Sequence, residues 1–316
     1  MILTPEVIAI FILNALFLFF GFIAFSLSIK IFLHWNEKAT TQTQYTLEKQ
    51  SFLTATIIKY IFIVKLPLFL FFIFTLDKLS TSITGAMCAA GVVDATPYGT
   101  YLFVIKIINI YLFGFWLTFH YADTKFETPK YTKQKFGLFI IAFLFLVVEI
   151  ILETLMFYSI DISKMVSCCG TLFSSTTTSY ISNIFLIKTP ILLTLFYATY
   201  FSLIVFYFMR LKHLFSLFNL LFLIISIISL IAFFGTYIYE LPTHHCPFCF
   251  LQKDYYYVGY LIYSVLFIGT FNGLTVAFKN NVNLKTYKVS LLFNLIYTII
   301  VTLYPAVYFI KNGVWL

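Results

Sequence analysis

Charged residues are scarce in this chain, and their scarcity excludes a soluble protein. Asp, Glu, Lys and Arg together make up 10% of the 316 residues, whereas hydrophobic residues make up 61%. A soluble domain carries roughly 25% charged residues. A chain with so little polar surface would not stay in water, so its composition predicts an integral membrane protein.

Several catalytic and nucleotide-binding motifs are also absent. The sequence contains no phosphate-binding glycine loop, no Ser/His/Asp arrangement and no zinc-protease helix motif. The net charge of +8 comes from basic residues in short connections between apolar runs rather than in one patch. This pattern fits orientation in a bilayer better than binding to nucleic acid, so we expect no nucleic-acid partner.

Eight apolar runs are each long enough to cross a bilayer, which needs about 20 residues at 1.5 Å rise per residue. They predict an all-α polytopic protein that forms a single integral membrane domain over residues 1–316. Spans two to seven could form three repeated hairpins with cysteine-bearing outer loops. The predicted spans cover residues 6–33, 54–76, 99–120, 136–160, 185–208, 214–238, 255–278 and 289–310.

Basic residues are concentrated in one of the two sets of connections. Thirteen lie in or beside the connections near 34–53, 121–135, 209–213 and 279–288, and four lie on the opposite side. The positive-inside rule places the basic set in the cytoplasm. We therefore predict a multi-pass protein of the bacterial inner membrane, with both termini and all cysteines on the periplasmic or extracellular side. Thiols can be oxidised on that side.

Three lysines and two glutamates lie inside predicted spans. A lone charge at mid-bilayer costs roughly 2.5–3.5 kcal/mol on insertion scales, so such groups need a partner or water. Glu149 and Glu153 are four residues apart and share a helix face. Together with Lys65, Lys106 and Lys188 they could form a proton path or a polar pocket for a quinone head group, with the two glutamates as cofactor contacts. The alternative is structural Lys–Glu pairing, or lysines that extend to the membrane boundary.

All five cysteines lie in three interruptions on the predicted outer face. Cys88 is in the first, Cys168 and Cys169 are in the second, and Cys246 and Cys249 form a Cys-x-x-Cys pair in the third. Such a pair can close a reducible disulfide ring or bind one soft metal ion. Two preceding histidines and a position at the start of span seven would activate the first thiol. This interpretation makes the Cys-x-x-Cys pair the redox centre and the other three cysteines relay or resolving thiols.

The segment 246–253, Cys-Pro-Phe-Cys-Phe-Leu-Gln-Lys, resembles the Cys-x-x-Cys-x-x-Gln-Arg signature of the bacterial disulfide-bond formation protein B family. Proteins of that family are membrane quinone reductases that reoxidise a periplasmic thiol oxidase. The resemblance implies a quinone beside Cys246 and Cys249, near Gln252 and with Lys253 in place of the family's arginine. It also implies a periplasmic thioredoxin-like partner. The chain departs from the family in having eight predicted spans and in carrying its other cysteines before the signature.

The same loops also contain residues that suit a soft metal. Thiolates, thioethers and imidazoles together suit Cu(I), and thiolates with imidazoles suit zinc. This alternative predicts a non-enzymatic protein that binds or delivers copper or zinc, served by a metallochaperone. A structural subunit with fixed disulfides is a further alternative. The candidate metal ligands are His244, His245, Cys246, Cys249, Cys168, Cys169, Cys88, Met87 and Met165.

Overall fold

The computed structural model describes residues 4–36, 39, 41–124, 131–160, 188–278 and 284–316. Within these ranges the regular structure is helical, and eight helical segments are long and apolar enough to cross a membrane. The prediction of an all-α, multi-pass membrane protein is therefore confirmed.

The helices are named here in chain order. The first four spans are α1, α2, α4 and α5, and a short helix, α3, lies between the second and third spans. Span six consists of α7, a π-helical turn and α8. The bounds are α1 Pro5–His34, α2 Gln42–Ser80, α3 Ala89–Asp94, α4 Gly99–Asp123, α5 Thr132–Ser159, α6 Thr189–Phe208, α7 Lys212–Ser229, the π turn Leu230–Phe234, α8 Gly235–Tyr239, α9 Val258–Thr275 and α10 Leu284–Asn312.

Several predicted boundaries need correction, and two of them have a clear local cause. Helix α2 begins twelve residues before the apolar run at 54, because its first turns are polar and the Thr41 side chain caps them by accepting a hydrogen bond from Gln44 N at 3.4 Å. Helix α9 begins at Val258 rather than at residue 255. Tyr256 and Tyr257 have φ angles of +53° and +56°, which a right-handed helix cannot include.

Polar side chains occupy the interior, and large apolar side chains cover much of the outside. Phe19 and Phe52 are 63% and 79% exposed, whereas Asn14 and Asn219 are buried. Exposed aromatic and aliphatic side chains are stable against lipid, and polar groups inside a bilayer need partners within the protein. The buried polar residues therefore mark the inward face of each helix more clearly than the apolar residues do.

The described chain groups into two compact units. Unit 1 comprises the described residues of Met1–Ile83 and Val92–Lys164, and unit 2 those of Thr84–Gly91 and Met165–Leu316. In unit 1, α1 packs on α2 and α5, and α4 packs on α2 and α5. In unit 2, α6 packs on α7 and α10, and α9 packs on α7 and α10.

The second predicted hairpin joins span four of unit 1 to span five of unit 2, through a connection outside the described residues. The threefold repeat of hairpins therefore stays a prediction.

Candidate functional site

The third cysteine loop follows the end of span six in unit 2. The α-helix widens into the π turn at Leu230–Phe234 and resumes as α8. Glu240 then adopts a φ of +53°, which ends the helix. The Nδ1–H of His245 donates to the carbonyl oxygen of Ile231 at 3.0 Å, so the loop folds back onto the π turn. Single π turns inside α-helices are frequent at functional sites.

Two tyrosine hydroxyls hold the Cys-Pro-Phe-Cys segment. The Tyr239 hydroxyl donates to the carbonyl oxygen of Cys246 at 2.5 Å and accepts a hydrogen bond from the backbone N of Phe250 at 3.1 Å. The Tyr263 hydroxyl donates to the carbonyl oxygen of Pro247 at 2.8 Å. Buried backbone groups need such partners, and here they fix the path of the chain around both cysteines.

A glycine permits the close packing of this loop on α9. Cys249 begins a 3₁₀ turn that runs to Leu251. A Cβ added at Gly259 would lie 2.3 Å from Phe250 Cδ2 and 2.8 Å from Leu251 Cδ2. Because no side chain occupies that space, the turn lies directly against the start of α9.

The structure brings Cys88 to the Cys-x-x-Cys pair, although 158 residues separate it from Cys246. The Sγ atoms of Cys88 and Cys246 are 3.6 Å apart, and all three sulfurs lie within 4.8 Å of one another. All three side chains are buried, and no disulfide joins them among the described residues. Gln252 Nε2 donates to the carbonyl oxygen of Met87 at 3.1 Å and so connects the two loops.

The neighbouring thiols favour the thiolate form of Cys246. Hydrogen bonds from Cys249 and then Cys88 hold the pKa of Cys246 well below its ordinary value, although burial acts in the opposite direction. Burial lowers the pKa of His245, which favours the neutral form of that ring. The expectation that Cys246 lies at the N-terminus of span seven is wrong, because α9 begins only at Val258. The groups that lower the pKa of Cys246 most are the thiols of Cys249 and Cys88. Activation by the preceding histidines stays a prediction.

Some of the predicted metal ligands lie close together in the structure, and others do not. Within the described part of the chain, the metal-ligating atoms that cluster here are the three sulfurs, and neither histidine belongs to the cluster. His244 packs on the Tyr239 ring with centroids 4.0 Å apart. Met87 is 77% exposed, whereas the sulfurs are buried. The structure therefore brings together three of the predicted ligands, Cys88, Cys246 and Cys249, and the larger ligand set stays a prediction.

Cys168, Cys169 and Met165 lie outside the described residues, so their predicted roles stay predictions. Gln252 is half-buried and has the loop-connecting role described above, and Lys253 is exposed. Their predicted contact with a quinone is likewise untested. Tyr239 and Tyr263 were not predicted as site residues, because a chain with 23 tyrosines offers no signal that distinguishes these two.

Glu149 and Glu153 belong to unit 1, where they form part of a buried ring of hydrogen bonds. Lys65 Nζ contacts Glu149 Oε1 at 3.0 Å and Asn14 Oδ1 at 3.1 Å. Asn14 Nδ2 donates to Glu153 Oε2 at 2.8 Å. Lys106 Nζ closes the ring by contacting both carboxylates at 2.9 Å. Each of α1, α2, α4 and α5 contributes at least one member of this ionic ring.

The ionic ring contains Lys–Glu pairs between spans, which the sequence left open as an alternative. Lys106 is buried within it and does not extend to the membrane boundary. Lys188 differs, because it is exposed and immediately precedes α6. Asn109 Nδ2 adds a hydrogen bond to Glu149 Oε2 at 2.5 Å. The prediction that the two glutamates contact a quinone stays a prediction.

Unit 2 also contains a groove of about 420 Å³ between α8, α9 and α10. Tyr237 and Ile238 line it from α8, the helix that also carries Tyr239, and Tyr304 lines it from α10. Its walls are mainly apolar, and Glu240 and Lys311 lie at its edge. The volume falls within the roughly 300–1,000 Å³ of small-molecule sites.

Comparisons of the chain with protein families, with curated proteins and with solved structures gave no match. The functional argument therefore depends on the site itself.

Proposed function

We propose that this protein is a membrane thiol–disulfide oxidoreductase that transfers electrons between an outer-face thiol partner and a membrane quinone. One observation carries the proposal: three buried sulfurs lie within 4.8 Å of one another. Hydrogen bonds from the neighbouring thiols also lower the pKa of Cys246, which favours its thiolate form. Thiolates are the reactive species in disulfide exchange. The resemblance of residues 246–253 to the quinone-linked family supports the same chemistry.

The reaction begins with a disulfide between Cys246 and Cys249. A partner thiolate attacks one of its sulfurs, forming a mixed disulfide and releasing the other as a thiolate. The second partner thiol then attacks the mixed disulfide, so the partner leaves as a disulfide and Cys246 and Cys249 become thiols. Two electrons and two protons pass from these thiols to a quinone, which leaves as a quinol, and the disulfide forms again.

Cys88 serves as a third exchanging thiol in this scheme. Its sulfur is 3.6 Å from that of Cys246, so Cys246 can exchange between Cys249 and Cys88 with little movement. After each exchange, Cys246 forms a disulfide with either Cys249 or Cys88, and the third cysteine is a thiol. The number of electrons on the three sulfurs therefore does not change. Because the sulfurs are buried, a partner protein reaches them only when the loop that carries Cys88 separates from the turn at 249–251.

The groove beside α8 is the place that we assign to the quinone. An apolar wall accommodates the isoprenoid tail, and tyrosine hydroxyls near the rim can donate hydrogen bonds to the carbonyl oxygens of the ring. Helix α8 links the two features, since Tyr237 lines the groove and Tyr239 contacts Cys246. We further propose that the protein lies in the bacterial inner membrane with its thiol site facing the periplasm. Its partner there would be a thioredoxin-like protein.

The thiol state of the purified protein tests this function. Alkylation and mass mapping before and after addition of an oxidised quinone should show Cys246 and Cys249 passing from thiols to a disulfide. A Cys249→Ala variant should lose this response, and Met87→Leu, whose side chain is exposed, is the matched control. Thiols that do not respond to quinone in the wild type would refute the proposal.

The pH dependence of alkylation tests the role of neighbouring thiols. Cys246 should stay reactive to a lower pH than an ordinary thiol, because its pKa is depressed. The Cys88→Ala variant loses one S–H donor, so its reactivity should need a higher pH. Rates for Cys246 measured by mass mapping across a pH series check this shift. If the alkylation rate of Cys246 had the same pH midpoint in the wild type and in Cys88→Ala, the Cys88 thiol would not be the cause of the depressed pKa.

A second candidate function is Cu(I) binding, which the spacing of the sulfurs favours. Three thiolates around one ion with bonds of about 2.3 Å lie roughly 4 Å apart. The observed separations of 3.6 Å and no more than 4.8 Å fit this arrangement. Cys88, Cys246 and Cys249 would hold the ion, and soft thiolates favour Cu(I) over harder cations.

The two functions differ in their need for Cys88. The three-thiolate Cu(I) site requires it, so Cys88→Ala should abolish stoichiometric copper binding under reducing conditions. Quinone-dependent cycling of Cys246 and Cys249 should continue in the same variant. If one copper ion per chain co-purified and the thiols did not react with quinone, Cu(I) binding would be established and quinone-linked thiol exchange would be excluded.

A further inference from the structure

The ionic ring in unit 1 borders a small cavity whose chemistry the proposed thiol reaction does not use. The space open to a water molecule there measures about 10 Å³. Lys65, Lys106, Asn109 and Glu149 line one side, and apolar side chains that include Leu68 and Phe113 line the other. A single buried water needs roughly 10–15 Å³ and two to four polar partners.

One atom beside this cavity lacks a hydrogen bond. Asn109 is 1% exposed, and its Nδ2 donates to Glu149, but its Oδ1 accepts no hydrogen bond within the described chain. Leaving a buried acceptor unsatisfied costs about 1–3 kcal/mol. Asn109, which lines the cavity, therefore has an acceptor that no described group uses.

Donors are available on the same side. An ammonium group has three N–H donors. Lys65 uses two of them for Asn14 and Glu149, and Lys106 uses two for Glu149 and Glu153. Lys106 lies 4.2 Å from the centre of the Phe72 ring, and Lys65 lies 5.5 Å from that of Phe17. Because its ring contact is the longer one, Lys65 is the better donor into the cavity.

The charge of the ionic ring decides which ligand the cavity can hold. Two ammonium groups face two carboxylates, so the ring is neutral as a whole. An added ion would leave one unbalanced charge inside the membrane, where such a charge is costly. A ligand here must be neutral, small, and able both to donate to Asn109 Oδ1 and to accept from a lysine.

We propose that this cavity binds a single water molecule, which accepts a hydrogen bond from Lys65 and donates one to Asn109 Oδ1. With this water bound, the ionic ring is a hydrated site in the interior of unit 1. Without it, the ring would only join the helices. A bound water gives the ring a group that can exchange protons, which a proton path through these residues would require.

X-ray hydroxyl-radical footprinting of the full-length protein in detergent tests this proposal, because radicals formed from a bound water label the side chains beside it. Phe113 should be labelled several-fold faster than Phe139, which is equally buried in the same unit but does not line the cavity. Asn109→Leu should reduce Phe113 labelling to the Phe139 rate. Leu68→Phe, which fills the cavity from its apolar side and leaves the ring intact, should do the same.

Three results would overturn the proposal. Equal labelling of Phe113 and Phe139 in the wild type would show a dry cavity. Unchanged Phe113 labelling in a folded Leu68→Phe variant would place the water elsewhere. A dependence of Phe113 labelling on sodium or chloride concentration would assign an ion instead. None of these results bears on the thiol chemistry of unit 2, so the two proposals succeed or fail separately.

Discussion

The two units of this protein stabilise polar interiors by different chemistry. Unit 1 uses the ionic ring of two lysines and two glutamates, which Asn14 completes, so that α1, α2, α4 and α5 each contribute a member. Unit 2 uses neutral groups: Asn294 Nδ2 and Ser290 Oγ both donate to Asn219 Oδ1, at 2.9 and 3.2 Å. This neutral cluster joins α7 to α10.

The two clusters differ in what each requires to be stable inside the membrane. The ionic ring is stable only while its charges balance, so loss of one member leaves a buried charge without a counterion. The neutral cluster has no such requirement but needs helices that approach closely. Cβ atoms at Gly269 and Gly273 would lie 2.1 Å from Asn294 Oδ1 and Asn219 Cγ, respectively. Unit 1 therefore depends on charge balance and unit 2 on helix proximity.

The largest effect is expected when the ionic ring loses one charge. Glu149→Gln leaves two lysines facing one carboxylate, and breaking a buried ion pair in this way costs about 3–5 kcal/mol. The free energy of unfolding in mixed micelles measures this cost. The double variant Lys106→Met/Glu149→Gln restores the charge balance and should be less destabilised than Glu149→Gln alone.

Lys78→Gln is the control for this prediction, because Lys78 pairs with Glu6 at an exposed position. Its effect should be small. If Glu149→Gln cost no more than Lys78→Gln, charge balance would not be what stabilises unit 1.

Helix proximity in unit 2 is tested by Gly273→Ala. The new Cβ would overlap Asn219, which is itself fully buried and hydrogen-bonded, and such overpacking costs about 1–3 kcal/mol. Thermal unfolding in detergent should show the loss. Gly137→Ala in unit 1 is the matched control, since its Cβ would meet only the end of the Phe32 side chain, at 2.9 Å. Equal effects of the two substitutions would contradict the comparison.

A neutral hydrogen bond should contribute less than a charged one. Tyr297 donates to the carbonyl oxygen of Ser226 at 3.2 Å in unit 2. Tyr297→Phe removes this bond and keeps the ring, so we expect a loss of about 0.5–1.5 kcal/mol in unfolding free energy. Tyr60→Phe, at a position 63% exposed, is the control and should be neutral. A loss as large as that of Glu149→Gln would show that charge is not the distinguishing factor.

The smallest effect is expected at the edge of the unit 2 groove. Lys311 and Glu240 are 3.7 Å apart, and their side chains are 65% and 57% exposed. Such pairs are screened by solvent, so Lys311→Gln should change the unfolding free energy by less than about 0.5 kcal/mol. Because the pair contributes so little, screening it with high salt should also leave the unfolding free energy of the wild type unchanged. A greater loss than for Tyr297→Phe would mean that this pair has a role beyond its exposed contact.

Some of the site was predictable from local pattern and some was not. The four-residue spacing of Glu149 and Glu153 places both on one helix face, and the cost of lone charges in a bilayer made Lys–Glu pairing a reasonable alternative. The inclusion of Asn14 and Asn109 was not predicted, because an asparagine in an apolar span gives no indication of its partner. The tyrosines that hold the cysteine loop were missed for the same reason.

The chain's composition and the length of its apolar runs were sufficient to predict an all-α membrane protein and the eight membrane-length apolar helices of its described residues. Insertion depends on local hydrophobicity, and each span meets that condition without reference to the others. Which side chains meet inside depends instead on how helices pack, and no local property encodes it. Only the folded structure brings Cys88 to a pair 158 residues away and closes four separate spans around one neutral ring of charges.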